Sequence, residues 1–306
     1  MPEDNRTFIE KAQILVADFT DKGYLQTAQA DEFIRLAIKD PILLQKTTAV
    51  PMKAMKEQRD KLRFSSRVLR RGAEATALPK ADWAKPELSM VELDAKLFKA
   101  EVRLSDESLE DQIEGEKFQD TIMEELSKAI GRDMEWVGIQ GTTTSTDNTL
   151  SVLDGVLKQI TSNLVDVGSN KLAKAYLRDM LRKMPDEFIN QPGMSYHTNR
   201  QAVLDYKDEI ASRATPGGDE FLLRRKDAIY NDYDVVAVPE FPVASNNTQC
   251  LLGDPSGIML GIWRQIKLKV GEDISEGIVK IVVSMRWDIQ VMEQKAWVKG
   301  YDIKGN

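Results

Sequence analysis

The sequence predicts an α+β fold with more than one packed layer. Three observations lead there: one long helical run over residues 105–141, a basic, turn-broken segment before it, and a series of short strands and helices after it. In the long run, apolar residues recur at Leu109, Ile113, Phe118, Ile122, Leu126, Ile130, Met134 and Val137. Mostly four-residue steps keep them on one slowly drifting stripe of a helix. Ser105 suits an N-cap, Asp106 and Glu107 suit the positive end of the helix dipole, and Gly138 and Gly141 suit a stop. At ~1.5 Å per residue the rod is on the order of 50 Å long, which suits a spine across a flat subunit better than an element of a compact globule.

The elements before the spine read as projections. Residues 5–19 predict a short amphipathic helix with Phe8, Ala12, Leu15 and Phe19 on one side, broken by Gly23. A second helix over about residues 27–39 ends at Asp40-Pro41, because the proline ring disfavours helical geometry at the preceding residue. Lys53, Lys56, Arg59, Lys61, Arg63, Arg67, Arg70 and Arg71 then supply dense positive charge, and Gly72, Pro79 and Pro86 punctuate the next stretch of chain. From Val91 to Leu104 the pattern alternates as a strand does, with Val91, Leu93, Ala95 and Leu97 on one face. These features predict a long hairpin with its tip near residues 73–89. A hairpin with so little apolar content has no stability alone in water and needs another surface to lie on.

After the spine, the polar stretch 142–148 marks a boundary. Asn170 is the expected N-cap of a helix over residues 171–183, with Leu172, Tyr176, Leu177 and Met180 on one face. Residues 193–197 predict a strand, 200–210 a short helix, and Thr215-Pro216-Gly217-Gly218 a loop. Residues 233–238 and 249–252 read as buried strands, and 278–283 and 287–298 as two further strands.

Composition narrows the function. A chain of 306 residues suits two domains or one elongated one. No apolar run approaches the ~20 residues that cross a bilayer, so no membrane partner is expected, and the acidic start Met1-Pro2-Glu3-Asp4 is unlike a signal peptide. A single cysteine, Cys250, allows no internal disulfide and fits a reducing compartment. One histidine, His197, makes a His-based metal site improbable, and no aspartate-rich metal cluster stands out, so no metal is expected. The net charge of -7 argues against a surface devoted to gripping nucleic acid.

Chemistry is mostly missing. Phosphate-loop, dinucleotide and nucleophile-elbow patterns are absent, so no catalytic residue and no cofactor is expected. Cys250 and His197 form a conceivable nucleophile–base pair, but Cys250 sits in an apolar strand and reads as a packing thiol. Gly253-Asp254-Pro255-Ser256-Gly257 reads as a turn. The basic hairpin offers three readings: phosphate contact, an interlock with an acidic surface of another copy, or a solvated charged face. Trp83 in an otherwise polar tip favours the interlock, because an exposed aromatic usually has a partner. Arg63, Arg67, Arg70, Arg71, Lys80, Trp83 and Lys85 are therefore the predicted inter-subunit contacts.

The order of parts carries a resemblance. Residues 101–111, Glu-Val-Arg-Leu-Ser-Asp-Glu-Ser-Leu-Glu-Asp, resemble the strand that runs into the spine helix of tailed-bacteriophage major capsid proteins with the Hong Kong 97-type fold. Residues 135–142, Glu-Trp-Val-Gly-Ile-Gln-Gly-Thr, are similar to that family's helix exit, and Leu252-Gly253-Asp254-Pro255-Ser256 to its return turn from the axial domain. Met285-Arg286-Trp287-Asp288-Ile289-Gln290-Val291 and Lys295-Ala296-Trp297-Val298 resemble its C-terminal strand pair. No one motif is specific; their order over residues 50–300 carries the likeness.

The resemblance implies a Hong Kong 97-like capsid fold: an N-terminal arm (1–50), an extended β-hairpin loop (51–93), a peripheral domain with the long spine helix (94–141), an axial domain (142–265) and peripheral return strands (266–306). It implies a structural virion protein that self-assembles as pentamers and hexamers into an icosahedral shell around double-stranded DNA, which it encloses without reading sequence, after synthesis in the host bacterial cytoplasm. Loops near residues 215–218 would meet at the capsomer centre. Residues 1–50 lack the long charged prodomain that serves some relatives as built-in scaffold. A separate scaffolding protein is expected, or a short prodomain already removed, with a portal and decoration proteins as further partners. Lys80 and Lys85 lie where some relatives place a crosslinking lysine, but no matching asparagine or glutamate motif is present. The alternative readings are a cellular encapsulin-like shell and an unrelated nucleic-acid-binding protein.

Overall fold

A computed structural model describes residues 41–64, 67–72, 77–105, 117–212, 228–243, 247–273 and 276–305. The helices expected over residues 5–19 and 27–39, the start of the spine at 106–116 and the loop at 215–218 lie outside the described residues. In chain order the strands are β1 (Thr48–Met52), β2 (Lys56–Arg63), β3 (Glu87–Asp94), β4 (Lys96–Ser105), β5 (Leu164–Asn170), β6 (Ser195–Thr198), β7 (Ile229–Tyr230), β8 (Tyr233–Ala237), β9 (Asn247–Gly253), β10 (Ile258–Asp273), β11 (Ile278–Val291) and β12 (Val298–Lys304). The α-helices are α1 (Lys117–Gln140), α2 (Val156–Gln159), α3 (Lys174–Lys183) and α4 (Arg200–Ala211).

A four-stranded sheet, ordered β1-β10-β11-β4, carries α1 on one face. Strand β1 runs parallel to β10, and β10, β11 and β4 pair antiparallel. On β11 the alternate residues Ile281, Val283, Met285, Trp287 and Ile289 are buried, as a strand with one covered face requires. They share a core with Leu126, Ile130, Met134 and Val137, the four-step stripe of α1. Phe98 of β4 stacks on Trp287 with ring centroids 5.0 Å apart. A second sheet, ordered β5-β12-β9-β6-β8-β7, buries a separate core with α3 and α4, including Leu177, Met180, Val203 and Tyr206.

The spine ends where its backbone meets the next segment. Gly141 N–H donates to Val137 O at 2.8 Å, and Gly155 N–H donates to Gly141 O at 2.8 Å. A Cβ on Gly141 would lie 2.6 Å from two carbonyl oxygens, and one on Gly155 2.7 Å from Gly138 O. Glycine is required at both for this close approach. Glu135, buried inside the helix, accepts the backbone N–H groups of Leu43 and Leu44, the latter at 3.3 Å, and so ties the incoming chain to the spine. Burial pushes the Glu135 carboxyl above the usual range, against those N–H bonds.

Several expectations change in detail. Gly138 lies inside α1 and stops nothing; the helix continues to Gln140. Ser105 is the last residue of β4, paired with Ile278. The single strand expected from Val91 to Leu104 is two, because the chain leaves one sheet for another at Ala95 and the exposed face switches phase. Asn170 does not cap α3: it ends β5 and donates to Val167 O at 2.8 Å, while Ala173 holds the cap position. The strands expected at 278–283 and 287–298 divide differently. Ser284 to Arg286 continue the ladder as β11, and the break falls at Gln294–Ala296 before β12. Strands β1 and β10 were not expected at all.

Asn199 caps α4, accepting Gln201 N–H at 2.8 Å, and Asp254 caps the short turn Pro255–Gly257 in the same way at 2.9 Å. Among the described residues no helix is long and apolar enough to cross a membrane.

Candidate functional site

The basic hairpin is the site that the sequence singles out, and its base is built into the four-stranded sheet. Asp94 N–H donates to the buried Asp288 carboxylate at 2.8 Å, and Ala95 N–H donates to Met55 O at 2.9 Å. Leu93, Ala95 and Met52 bury together, with Trp263 packed against them. Asp94 itself accepts from Lys96 at 2.7 Å and pairs with Lys56 at 3.3 Å. The Lys96 bond, backed by Lys56, holds the Asp94 carboxyl below its ordinary range in spite of partial burial. Burial raises Asp288 instead, opposed by the backbone N–H of Asp94 and by Gln290.

From this base β2 and β3 pair antiparallel, with Lys56 opposite Asp94 and Arg63 opposite Glu87. The two faces of the ribbon differ. One face carries Arg59, Lys61 and Arg63, and the other carries Leu62 opposite Leu88 and Asp60 opposite Met90.

The basic face turns toward its own chain. Lys61 pairs with Glu293 and donates to Met292 O at 3.2 Å. Arg63 pairs with Glu187 and, at 3.1 Å, with Glu293, and lies 5.1 Å above the Phe188 ring. Burial pushes Glu293 up, but the hydrogen bond and charge of Lys61 outweigh it, so its carboxyl sits below the usual range.

The apolar face is left open. Leu62, Leu88 and Met90 are 60%, 75% and 66% exposed. Beyond them the tip exposes Phe64, Val68, Leu69, Leu78 and Trp83. Nine of the fourteen exposed large hydrophobic side chains among the described residues lie between Met55 and Met90. Apolar surface concentrated in this way marks an interaction site.

The predicted contact residues divide accordingly. Arg63 is occupied within its own chain. Arg67, Arg71, Lys80 and Lys85 are exposed; Arg70 faces Asp82 at 3.6 Å, and Trp83 donates its indole N–H to Leu78 O at 3.1 Å. The sequence reading missed Asp288, Glu293 and Glu187, the carboxylates that hold the hairpin. Asp288 was in view within the motif Arg-Trp-Asp-Ile, but nothing local in the sequence points from it to Asp94.

The conceivable Cys250–His197 pair does not exist. Thr198 stands opposite Cys250, and His197 opposite Leu251, so the two side chains lie on opposite faces of the sheet. His197 is buried with Nε2 3.3 Å from Ser195 Oγ, and burial lowers its pKa to about 3; burial pushes the Cys250 thiol up. Both are neutral packing residues.

Comparison with known proteins agrees with this geometry. The family model described as "Phage capsid family" matches residues 23–301. A Bacillus subtilis (strain 168) protein described as a putative prophage capsid protein, YqbE, is 27% identical over 308 residues, covering 98% of this chain and 99% of that one. Among solved structures, a chain of the satellite phage P4 procapsid, which includes the size determination (Sid) protein, superposes with a TM-score of 0.70 at 15% identity, over 99% of this chain and 98% of that chain. The capsid of an empty GTA particle gives 0.60 at 15%, over 90% and 99%. The SrpI encapsulin of Synechococcus elongatus PCC 7942 gives 0.58 at 10%, over 86% and 88%. These structural likenesses extend the fold across virion and encapsulin shells.

Proposed function

The chain belongs to the phage capsid family, a structural shell protein of the virion and not an enzyme, and from that premise we propose how its copies close a shell. They assemble as pentamers and hexamers into an icosahedral head around double-stranded DNA, held without sequence readout. Residues 1–50 act as an arm, 51–93 as an extended loop, 94–141 with 266–306 as a peripheral domain, and 142–265 as an axial domain.

One observation carries the reading: the hairpin is anchored at its base and along its basic face, yet leaves Leu62, Leu88 and Met90 open to water. Covering such a side chain contributes about 1.5–3 kcal/mol, and repetition around every symmetry axis multiplies the gain. A second copy is the natural cover. The exposed cations Arg67, Arg70, Arg71, Lys80 and Lys85, with Trp83, then meet that copy, whose net charge is -7. A scaffolding protein, a portal and decoration proteins are the further partners.

Negative-stain electron microscopy of the recombinant protein, with sedimentation of the same sample, tests this. Shells, partial shells, tubes or rings of five and six are the expected result. A monodisperse monomer that persists with crowding agents and scaffold candidates would refute it.

A further inference from the structure

Resting on the reading that the shell encloses duplex DNA, we propose that the face of the four-stranded sheet opposite α1 is the surface on which the phosphate backbone of that DNA lies. Alternate residues of a strand stand on opposite faces of its sheet. On β4, Phe98, Ala100 and Val102 pack toward α1, so Lys99, Glu101 and Arg103 stand on the other face, where all three are exposed. The ladder sets Lys280 of β11 opposite Arg103, and the exposed Lys269 of β10 opposite Val282. Arg286 joins them, its guanidinium 4.8 Å from the centre of the Trp263 ring. Three adjacent strands thus present a cationic face on a chain whose net charge is -7, with Glu101 as the acid among the described side chains of those strands there.

The chemistry of the face selects its occupant. Arg103 pairs with Glu101 at 2.8 Å and Lys280 with Glu276 at 3.5 Å, while Lys99 and Lys269 form no ion pair among the described residues. Surface pairs of this kind are worth little, so they exchange readily for a phosphate. Leu97 and Val282 are too little apolar surface for the buried core of a protein interface, which disfavours a folded acidic partner. A duplex needs no such core: its charge, one per about 1.7 Å of axis, is met by cations and releases counterions. Strands about 4.8 Å apart, with same-face residues about 6.8 Å apart along each, form a flat grid. A flat grid touches phosphates but sends no helix or ribbon into a groove, so it is blind to sequence.

Equilibrium binding of the full chain to fluorescent DNA duplexes of two unrelated sequences, from about 50 to about 200 mM salt, tests this. The wild type should bind both duplexes alike and lose affinity steeply as salt rises. Lys99→Gln/Lys269→Gln changes two exposed side chains and should keep the fold, yet bind at least about tenfold more weakly at low salt. Its log–log salt slope should be shallower by about 1.8, the loss of two phosphate contacts. Lys99→Arg/Lys269→Arg should bind as the wild type does. No duplex binding by the wild type, or unaltered binding by the Gln variant, would overturn the assignment. So would binding lost instead in the hairpin-tip variant Arg67→Gln/Arg70→Gln/Arg71→Gln. A Gln variant that binds DNA normally but forms no shells would show that the face meets protein. Particles are scored separately by electron microscopy. Wild-type protein that binds duplexes as expected but forms no shell would overturn the shell reading and leave the cationic face standing.

Discussion

Single residues fix the geometry here by filling space that admits no addition. Gly253 is one: a Cβ there would lie 2.4 Å from the Trp297 ring, and Trp297 is itself fully buried. Gly253→Ala is expected to cost about 1–3 kcal/mol, read as a lowered urea midpoint. Glu135 acts through charge. Its folded pKa is raised above the ordinary 4.5, so its contribution to stability is present in acid and is lost as pH rises through the folded value. Glu135→Gln should therefore gain on the wild type as pH rises from about 4 to about 8, measured by urea unfolding at each pH. A constant difference across that range would show that the carboxyl titrates normally. Neither residue announces itself in the sequence. Glu135 looks like one more acid on an amphipathic helix, and only the arrival of Leu43 and Leu44 makes it a buried acceptor.

Among the elements, the spine was the most legible, because a four-step apolar stripe needs no knowledge of its partner. Leu126, Ile130, Met134 and Val137 are all buried, as their spacing demands. Leu126→Asp should abolish soluble folding, since it puts an unpaired charge into the core; soluble, assembling protein would show that the other face is the buried one. Strand β10 was missed although its apolar residues Ile258, Leu260, Ile262, Ile266, Leu268 and Val270 keep one phase; Arg264, at the register shift between Trp263 and Lys267, interrupts the alternation. The hairpin was legible as charge and punctuation, but its attachment was not. Lys61 and Arg63 find Glu293 some 230 residues away in sequence. Glu293→Ala should leave the fold intact and loosen β2, raising amide exchange over Lys56–Arg63 through the loss of about 1 kcal/mol of partly buried pairing.

Among the described residues the chain has two large cores, a small buried cluster at the hairpin base, and a ribbon whose apolar face they do not cover. That division separates folding from the proposed assembly: the sheets bury their cores within one chain, and in the proposed shell a second copy covers the exposed tip. Sequence order carried the family likeness because four of the five motifs sit at joints of the fold: the exit of α1, the Gly253–Ser256 turn, the Asp288 strand, and Trp297 just before β12. The central claim is that the tip acts between copies, and sedimentation velocity of an Arg67→Glu/Arg70→Glu/Arg71→Glu variant beside the wild type tests it most directly. The account predicts wild-type particles sedimenting as shells and a variant that remains a folded, slowly sedimenting subunit. Normal shells from the triple variant would contradict it.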